Sequence, residues 1–253
     1  MTGEKQHLVN LSYGNSHWIA LSGWLLILLF ISGTGELAAQ STADAKRSKK
    51  QLPVIEQARK LRSSDPDEAI SLLTKAISSK QQTVDLAEAF VLLGDIYADI
   101  GQQELAINRY NQALNTGRLS ENTTRANVYL KRGQSLQQLQ KIDEAAQSYR
   151  TCLSIVDSNS NIGLICQEGL ADVATARSEF DLGQELYSNV QRYDTSNQLL
   201  QSRVAAKRAT NYVQGNEVAK AREQYKVAVN KLPPAKELKL ADYQEVIAAN
   251  NSI

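Results

Sequence analysis

A triplet of residues with helical spacing recurs along the chain at a nearly constant interval. In most copies a small residue is followed four positions later by tyrosine and three positions after that by another small residue, so all three share one helical face. The steps between successive copies are 37, 39, 38 and 38 residues. The copies are Ala69-Leu73-Ala76, which is the faintest, Ala106-Tyr110-Ala113, Ala145-Tyr149-Cys152, Gly183-Tyr187-Val190 and Ala221-Tyr225-Ala228. A period of this size predicts a stacked array of helical units rather than a closed globule.

Turn residues within each period divide the array into helix pairs. We predict pairs at about 53–80, 86–117, 124–156, 161–194 and 198–231, followed by one more helix at about 236–249. The turns inside the pairs are expected at Asp65–Pro66, Gly101, Gln140–Lys141, Ser178–Glu179 and Gly215–Asn216. The repeated tyrosines are then expected to wedge between adjacent helices, because an aromatic ring fits between small side chains.

The first 39 residues are predicted to form a signal peptide or a membrane anchor. No Asp, Glu, Lys or Arg occurs between Gln6 and Gly35, and Trp18–Ile31 is nearly all apolar. This run is shorter than the roughly 20 residues that span a bilayer, which favours a signal peptide cleaved after Ala39. An uncleaved anchor and a buried core helix are the alternatives.

Residues 40–52 are predicted to be a polar, basic linker. It carries Lys46, Arg47, Lys49 and Lys50, whereas only Lys5 precedes the hydrophobic run. If the run is an uncleaved anchor, this charge bias would hold the repeats in the cytoplasm. Cleavage would instead place them outside the cytoplasm, in the periplasm or secreted.

The composition argues against an enzyme. The two histidines, His7 and His17, both lie in the predicted leader, so the mature protein would lack the commonest general base and metal ligand. We expect no catalytic residue, no metal and no cofactor. The formal net charge of +1 gives no concentrated basic surface for a nucleic acid.

The second helix pair resembles the tetratricopeptide repeat (TPR). The residues that carry the resemblance are Phe90, Leu93, Gly94, Tyr97, Gly101, Ala106, Tyr110 and Ala113. The other pairs keep parts of this pattern, so the resemblance extends over the predicted repeat domain, 53–253. It implies an all-α fold: a right-handed superhelical solenoid of antiparallel helix pairs whose first helices line a concave groove.

The same resemblance places a partner-binding groove on the first helices. The positions carried over are Glu88, Val91, Asp95, Asn127, Leu130, Gln134, Ile165, Glu168, Asp172, Arg203 and Thr210. This lining is expected to be mildly acidic with apolar spots, which fits a neutral or basic extended peptide, or a helix, better than an acidic chaperone tail. Alternatively, its carboxylates are merely solvated. Replacing Asp95 and Asp172 by Asn is expected to leave stability nearly unchanged.

Cys152 and Cys166 lie on neighbouring predicted helices. They form either a disulfide, which an oxidising compartment would permit, or two buried free thiols.

The sequence therefore predicts a non-enzymatic protein–protein interaction scaffold, exported or tethered to a membrane through Trp18–Ile31. A second hypothesis is suggested by similarity to the extracytoplasmic TPR region of bacterial sensor histidine kinases, which implies a catalytic part after Ile253. A third is a membrane-anchored assembly factor that faces the cytoplasm.

Overall fold

Eleven helices follow one another along the residues that the computed structural model describes, which are 54–79, 85–193, 196–234 and 240–253. The helices are α1 (54–61), α2 (Pro66–Ser78), α3 (Asp85–Asp99), α4 (Gln103–Asn115), α5 (Asn122–Gln138), α6 (Ile142–Ile155), α7 (Asn161–Ala176), α8 (Phe180–Tyr193), α9 (Gln198–Gln214), α10 (Val218–Lys231) and α11 (Leu240–Ser252). The first ten helices form five pairs at about the predicted positions, and the final helix ends at Ser252 rather than at 249.

The predicted leader, 1–39, and linker, 40–52, lie outside the described residues. Within the ranges given above, no helix combines the length and the apolar character needed to cross a bilayer.

Short polar side chains begin several helices. Asp65, Ser160 and Asn197 each accept a hydrogen bond from a backbone N–H three residues later, at 3.0, 3.1 and 3.0 Å. These bonds satisfy N–H groups that have no partner inside the helix. Pro66 follows Asp65 at the first helical position, where its missing N–H costs nothing.

Left-handed residues end the first helix of four pairs. Gly101, Gln140, Ser178 and Asn216 have φ angles of 79°, 57°, 63° and 60°. In each case the next residue donates its N–H to the carbonyl five positions earlier, as Lys141 does to Leu136 at 2.9 Å and Glu179 does to Ala174 at 2.8 Å. This Schellman-type turn satisfies carbonyls at the helix end. The same turn geometry therefore recurs in these four pairs, although glycine occupies the left-handed position only in the turn at Gly101.

The tyrosines of α4, α6 and α8 are buried, as the repeat predicted. Tyr110 and Tyr149 are each 1% exposed and Tyr187 is 2% exposed. The ring of Tyr149 lies between two glycines, because a Cβ added to Gly133 of α5 would stand 2.7 Å from the ring and one added to Gly169 of α7 only 2.5 Å from it. The ring thus joins its own pair to the next one.

The fourth tyrosine of the row is less enclosed. Tyr225 of α10 is half-buried and packs against a core cluster that includes Ala206, Ala228 and Val246. Val246 comes from α11, so the final helix covers part of the surface that the fifth pair leaves open.

The first helices of successive pairs contact one another. Among the described residues, α3 contacts α5, α5 contacts α7, α7 contacts α9 and α9 contacts α11. By contrast, within the same residues, α4, α6, α8 and α10 contact only the helices that adjoin them in sequence. The first helices are therefore closer together than the second helices, which makes their shared face concave.

A disulfide joins Cys152 of α6 to Cys166 of α7. The two Cα atoms are 6.5 Å apart, and both side chains are fully buried. Of the two alternatives that the sequence left open, the structure has the bonded one. The bond crosses the junction between the third and fourth pairs, where the ring of Tyr149 also lies.

The left-handed turns make a testable prediction. Because an L-residue with a side chain is strained at φ near +60°, Ser178→Gly should raise the free energy of unfolding by about 0.5–1 kcal/mol, measured by urea denaturation. The reverse change in the equivalent turn, Gly101→Ser, should lower it by a similar amount. A destabilised Ser178→Gly protein would contradict the assigned turn.

Candidate functional site

The predicted groove residues lie on α3, α5, α7 and α9, but they differ in exposure. Glu88 and Gln134 are exposed; Val91, Asn127, Ile165, Asp172, Arg203 and Thr210 are half-buried; Asp95, Leu130 and Glu168 are buried. Leu130 is 5% exposed and belongs to the core cluster around Tyr149. Leu130 therefore packs in the core and does not line the concave face.

Asp95 of α3 is held by three neighbours. Its Oδ1 atom accepts a hydrogen bond from the hydroxyl of Tyr110 at 2.9 Å, and its Oδ2 atom lies 2.6 Å from Nζ of Lys131 and 3.4 Å from Nη1 of Arg62. Arg62 also binds Asp99 through Nε at 2.5 Å. Burial, together with the charge and hydrogen bond of Asp95, raises the pKa of Tyr110, so this hydroxyl remains a donor.

A second cluster surrounds Glu168 and Asp172 of α7. Arg203 of α9 binds Glu168 with both Nε and Nη2, at 2.9 and 2.7 Å. Lys207 of α9 lies 3.0 Å from Glu168 Oε1 and 2.7 Å from Asp172 Oδ2. The hydroxyl of Tyr187 donates to Asp172 Oδ1 at 2.5 Å. The arrangement of Asp172 and Tyr187 repeats that of Asp95 and Tyr110, two tyrosine copies further along the chain.

Burial and charge act in opposite directions in this cluster. Burial raises the pKa of Glu168, but the charge of Lys207 and the hydrogen bond from Arg203 outweigh it, and the pKa of Glu168 lies below its ordinary value. Burial, and the charges of Asp172 and Glu168, raise the pKa of Glu245 on α11, an effect that Lys207 opposes without cancelling. Lys207 approaches Glu245 only to 3.9 Å.

Two sequence expectations are corrected by these contacts. The lining carries less free negative charge than its own carboxylates suggest, because Arg62, Lys131, Arg203 and Lys207 pair with them. The carboxylates are not merely solvated either, since the side chains of Asp95 and Glu168 are only 9% and 7% exposed. Asp95→Asn therefore should not be neutral for stability: it would remove a charge that two cations surround.

The sequence reasoning missed Arg62, Lys131 and Lys207. Their signal is the separation of opposite charges: Lys131 follows Asp95 by 36 residues, and Arg203 and Lys207 follow Glu168 and Asp172 by 35. These separations are slightly shorter than the repeat. A cation in that register lies on the next first helix, beside the carboxylate, so a search for charge pairs at this spacing would have found Lys131 and Lys207, but not Arg62, which precedes Asp95 by 33 residues.

Two of the cavities in the described part of the chain flank α5 on the concave face. The larger, about 460 Å³, is lined by residues of α5, α7, α9 and α11, and by Tyr149. The smaller, about 260 Å³, is lined by Asp95, Arg62 and Lys131 among others. Gln134 and Gln138 of α5 line both cavities. The larger one brings together Gln134, Ile165, Glu168, Asp172 and Arg203, all predicted from sequence.

The remaining predicted residues lie elsewhere on the face. Glu88 and Val91 line a separate, mostly apolar cavity of about 350 Å³ next to Arg118 and Leu119, and Glu88 also binds Arg59 at 2.7 Å. Asn127 and Thr210 line neither of the two cavities that Gln134 and Gln138 share. The hydroxyl of Thr210 donates to the carbonyl of Ala206 at 3.3 Å.

Comparison with known families gives a match to the tetratricopeptide repeat over residues 87–116 and 126–155. These segments correspond closely to α3–α4 and α5–α6. The fold class predicted from sequence, an all-α TPR-like array, is confirmed by this match together with the structural neighbours. No curated protein matches the sequence of the chain.

Several solved structures share this fold. YrrB, described as a TPR protein with an unusual peptide-binding site, is 15% identical, with a TM-score of 0.59 over 83% of this chain and 97% of YrrB. MamA from Desulfovibrio magneticus RS-1 is 12% identical, with a TM-score of 0.60 over 72% of this chain and 94% of MamA. PilF of Pseudomonas aeruginosa is 18% identical, with a TM-score of 0.58 over 82% and 88% of the two chains.

The cluster around Glu168 predicts a pH-dependent stability. Because its pKa is lower in the folded protein, Glu168 contributes stability above its unfolded pKa of about 4.3, and this contribution is lost as the pH falls through the folded pKa. Glu168→Gln should lower the free energy of unfolding by about 2 kcal/mol at neutral pH, and the deficit should shrink below about pH 4. Urea denaturation across this range measures both.

A matched control is Glu223→Gln. Glu223 is 69% exposed in its side chain and, within the described part of the chain, pairs only with Lys226 on the same helix, at 2.8 Å. Its replacement should change stability little at any pH, because exposed pairs contribute little. If Glu168→Gln behaved like Glu223→Gln, the paired carboxylate would not contribute as described.

Proposed function

Because the chain carries tetratricopeptide repeats in their characteristic fold, we propose that it is a non-enzymatic scaffold that binds a segment of another protein on its concave face. The observation that carries this proposal is the 460 Å³ cavity, which four helices from successive units assemble jointly. A surface built across several repeats is suited to an elongated partner, since each repeat contributes contacts along its length.

The charges of the face support binding rather than catalysis. Asp95, Glu168 and Asp172 each contact a cation from a neighbouring first helix. Carboxylates whose oxygens are occupied by ion pairs and hydrogen bonds within the protein are poorly placed to accept a proton from a substrate. The cations are likewise occupied by these carboxylates, which disfavours an acidic tail as the partner. A neutral or weakly basic segment fits the balance best.

The fold shared with YrrB lends support, since that protein is described as having a peptide-binding site. The identity between the two chains is 15%, so the support extends to the geometry of a groove and not to its residues. The partner's nature is therefore argued from the side chains of this chain alone.

Site-specific photocrosslinking in the native cell tests the binding face. A photoreactive amino acid at Ile165, on the concave face, should give adducts with another protein, whereas one at Gln147, exposed on α6, should give none above background. Adducts that form only from Gln147 would place the binding surface on the opposite side and overturn the proposal.

We further propose that the repeats act outside the cytoplasm. The supporting observations are the apolar run Trp18–Ile31 in the leader and the Cys152–Cys166 disulfide, since structural disulfides persist in oxidising compartments. A location outside the cytoplasm suits a separate scaffold and equally the sensory part of a signalling protein. It disfavours a factor that faces the cytoplasm.

Determination of the N-terminus of the protein purified from its native cells tests this location. Cleavage after Ala39 would leave Gln40 as the first residue of the mature chain. An intact leader, together with protection of the repeats from protease added outside intact spheroplasts, would contradict export.

A further inference from the structure

Most polar side chains at the centre of the concave face already have partners within the protein. Asp95, Glu168 and Asp172 pair with cations, and the amide oxygen of Gln137 accepts the hydroxyl of Tyr149 at 2.8 Å. Gln134 and Gln138 differ from them. Both are exposed, and their amide groups form no hydrogen bond with any residue in the described part of the chain.

These two glutamines form a ridge between the two central cavities. They are one helical turn apart on α5, and each lines both the 460 Å³ cavity and the 260 Å³ cavity. Residues four positions apart on a helix have Cβ atoms about 5–6 Å apart. Alternate residues of an extended chain are separated by about 6.6–6.8 Å, which flexible glutamine side chains span easily.

An amide group offers both a donor and an acceptor, as does each unit of a peptide main chain. In a helical partner those main-chain groups are already bonded to each other, so the amides would gain nothing from it. In an extended partner the groups are free. The ridge therefore distinguishes between the two kinds of segment that suit a concave groove, and it favours the extended one.

The cavities on either side define the charge of that segment. The smaller cavity contains two cations, Arg62 and Lys131, and two carboxylates, Asp95 and Asp99, and so is balanced. The larger contains three carboxylates, Glu168, Asp172 and Glu245, and two cations, Arg203 and Lys207. Three against two leaves one excess negative charge. Side chains that enter the cavities should be uncharged, or carry one positive charge in the larger.

We infer that Gln134 and Gln138 hydrogen-bond the main chain of an extended, neutral or singly basic peptide, which crosses α5 and places side chains in both flanking cavities. The inference rests on the proposed function and specifies its ligand. Because main-chain groups are common to all peptides, the ridge supplies affinity without sequence preference. Selectivity then comes from the shapes and charges of the two cavities.

The test begins with a random peptide library displayed on phage and selected on the full chain. The affinity of an enriched peptide, synthesised with a fluorophore, is measured by anisotropy. Replacing both Gln134 and Gln138 by Ala should weaken binding about tenfold, the scale expected for the loss of two hydrogen bonds. The control Gln147→Ala removes an exposed glutamine from α6 and should leave the affinity unchanged.

A second measurement identifies the main chain as the bonded group. N-methylation of single peptide bonds removes one N–H at a time. At least one such peptide should lose affinity for the wild-type chain but not for the double variant, because the two changes remove the same hydrogen bond. Thermal unfolding of the variants verifies that they remain folded. If the double alanine variant does not fold, Gln134→Met offers a replacement of similar length that lacks the amide group.

The outcomes separate the inference from the proposed function. A peptide that binds the double variant as tightly as the wild-type chain, that becomes helical on binding, or that is strongly acidic would overturn the inference while the scaffold function stands. Failure of the library to yield any binding peptide would count against both.

Discussion

In the second, third and fourth pairs a buried tyrosine ring packs against glycine or alanine, and the stacking of these helices depends on this contact. The ring of Tyr149 fills the space that the absent side chains of Gly133 and Gly169 leave, so it contacts the first helix of its own pair and that of the next. A larger residue at either position would occupy the space of the ring. Successive pairs are thereby held at a close and constant separation.

The tyrosines also connect the core to the concave face. The hydroxyls of Tyr110 and Tyr187 donate to Asp95 and Asp172, which in turn contact cations on the following first helix. A ring in the core thus orients a carboxylate at the surface of the groove. At Tyr149 the pattern changes, since its hydroxyl bonds Gln137. Between α5 and α7 the described side chains show amides where the other junctions show ion pairs, and the larger cavity opens there.

Much of the fold could be predicted from the sequence because stacked repeats depend on local spacing. The period of the tyrosine triplets predicted five pairs, their turns and the burial of Tyr110, Tyr149 and Tyr187. The turn positions were also predictable, although Gln140 and Ser178 stand where glycine is easier to accommodate. At Gln140 and Ser178 the packing of the neighbouring helices imposes the left-handed conformation, although these residues are strained in it.

Less of the site could be predicted, because its properties depend on contacts between residues about one repeat apart. The predicted groove positions included Glu168 and Asp172, but they omitted Lys207, which contacts both of these carboxylates. Leu130 was assigned to the groove and lies in the core, since a one-residue difference in register turns a side chain from one face of a helix towards another.

The sequence by itself determined that this protein is a stack of helix pairs, because the spacing of small and aromatic residues acts within and between adjacent helices. Only the tertiary structure decided which charges neutralise one another, whether the two cysteines are joined, and where hydrogen-bonding groups are left for a partner. Those properties depend on distances of a few ångströms between side chains of different repeats, and such distances follow from the packing of the whole stack.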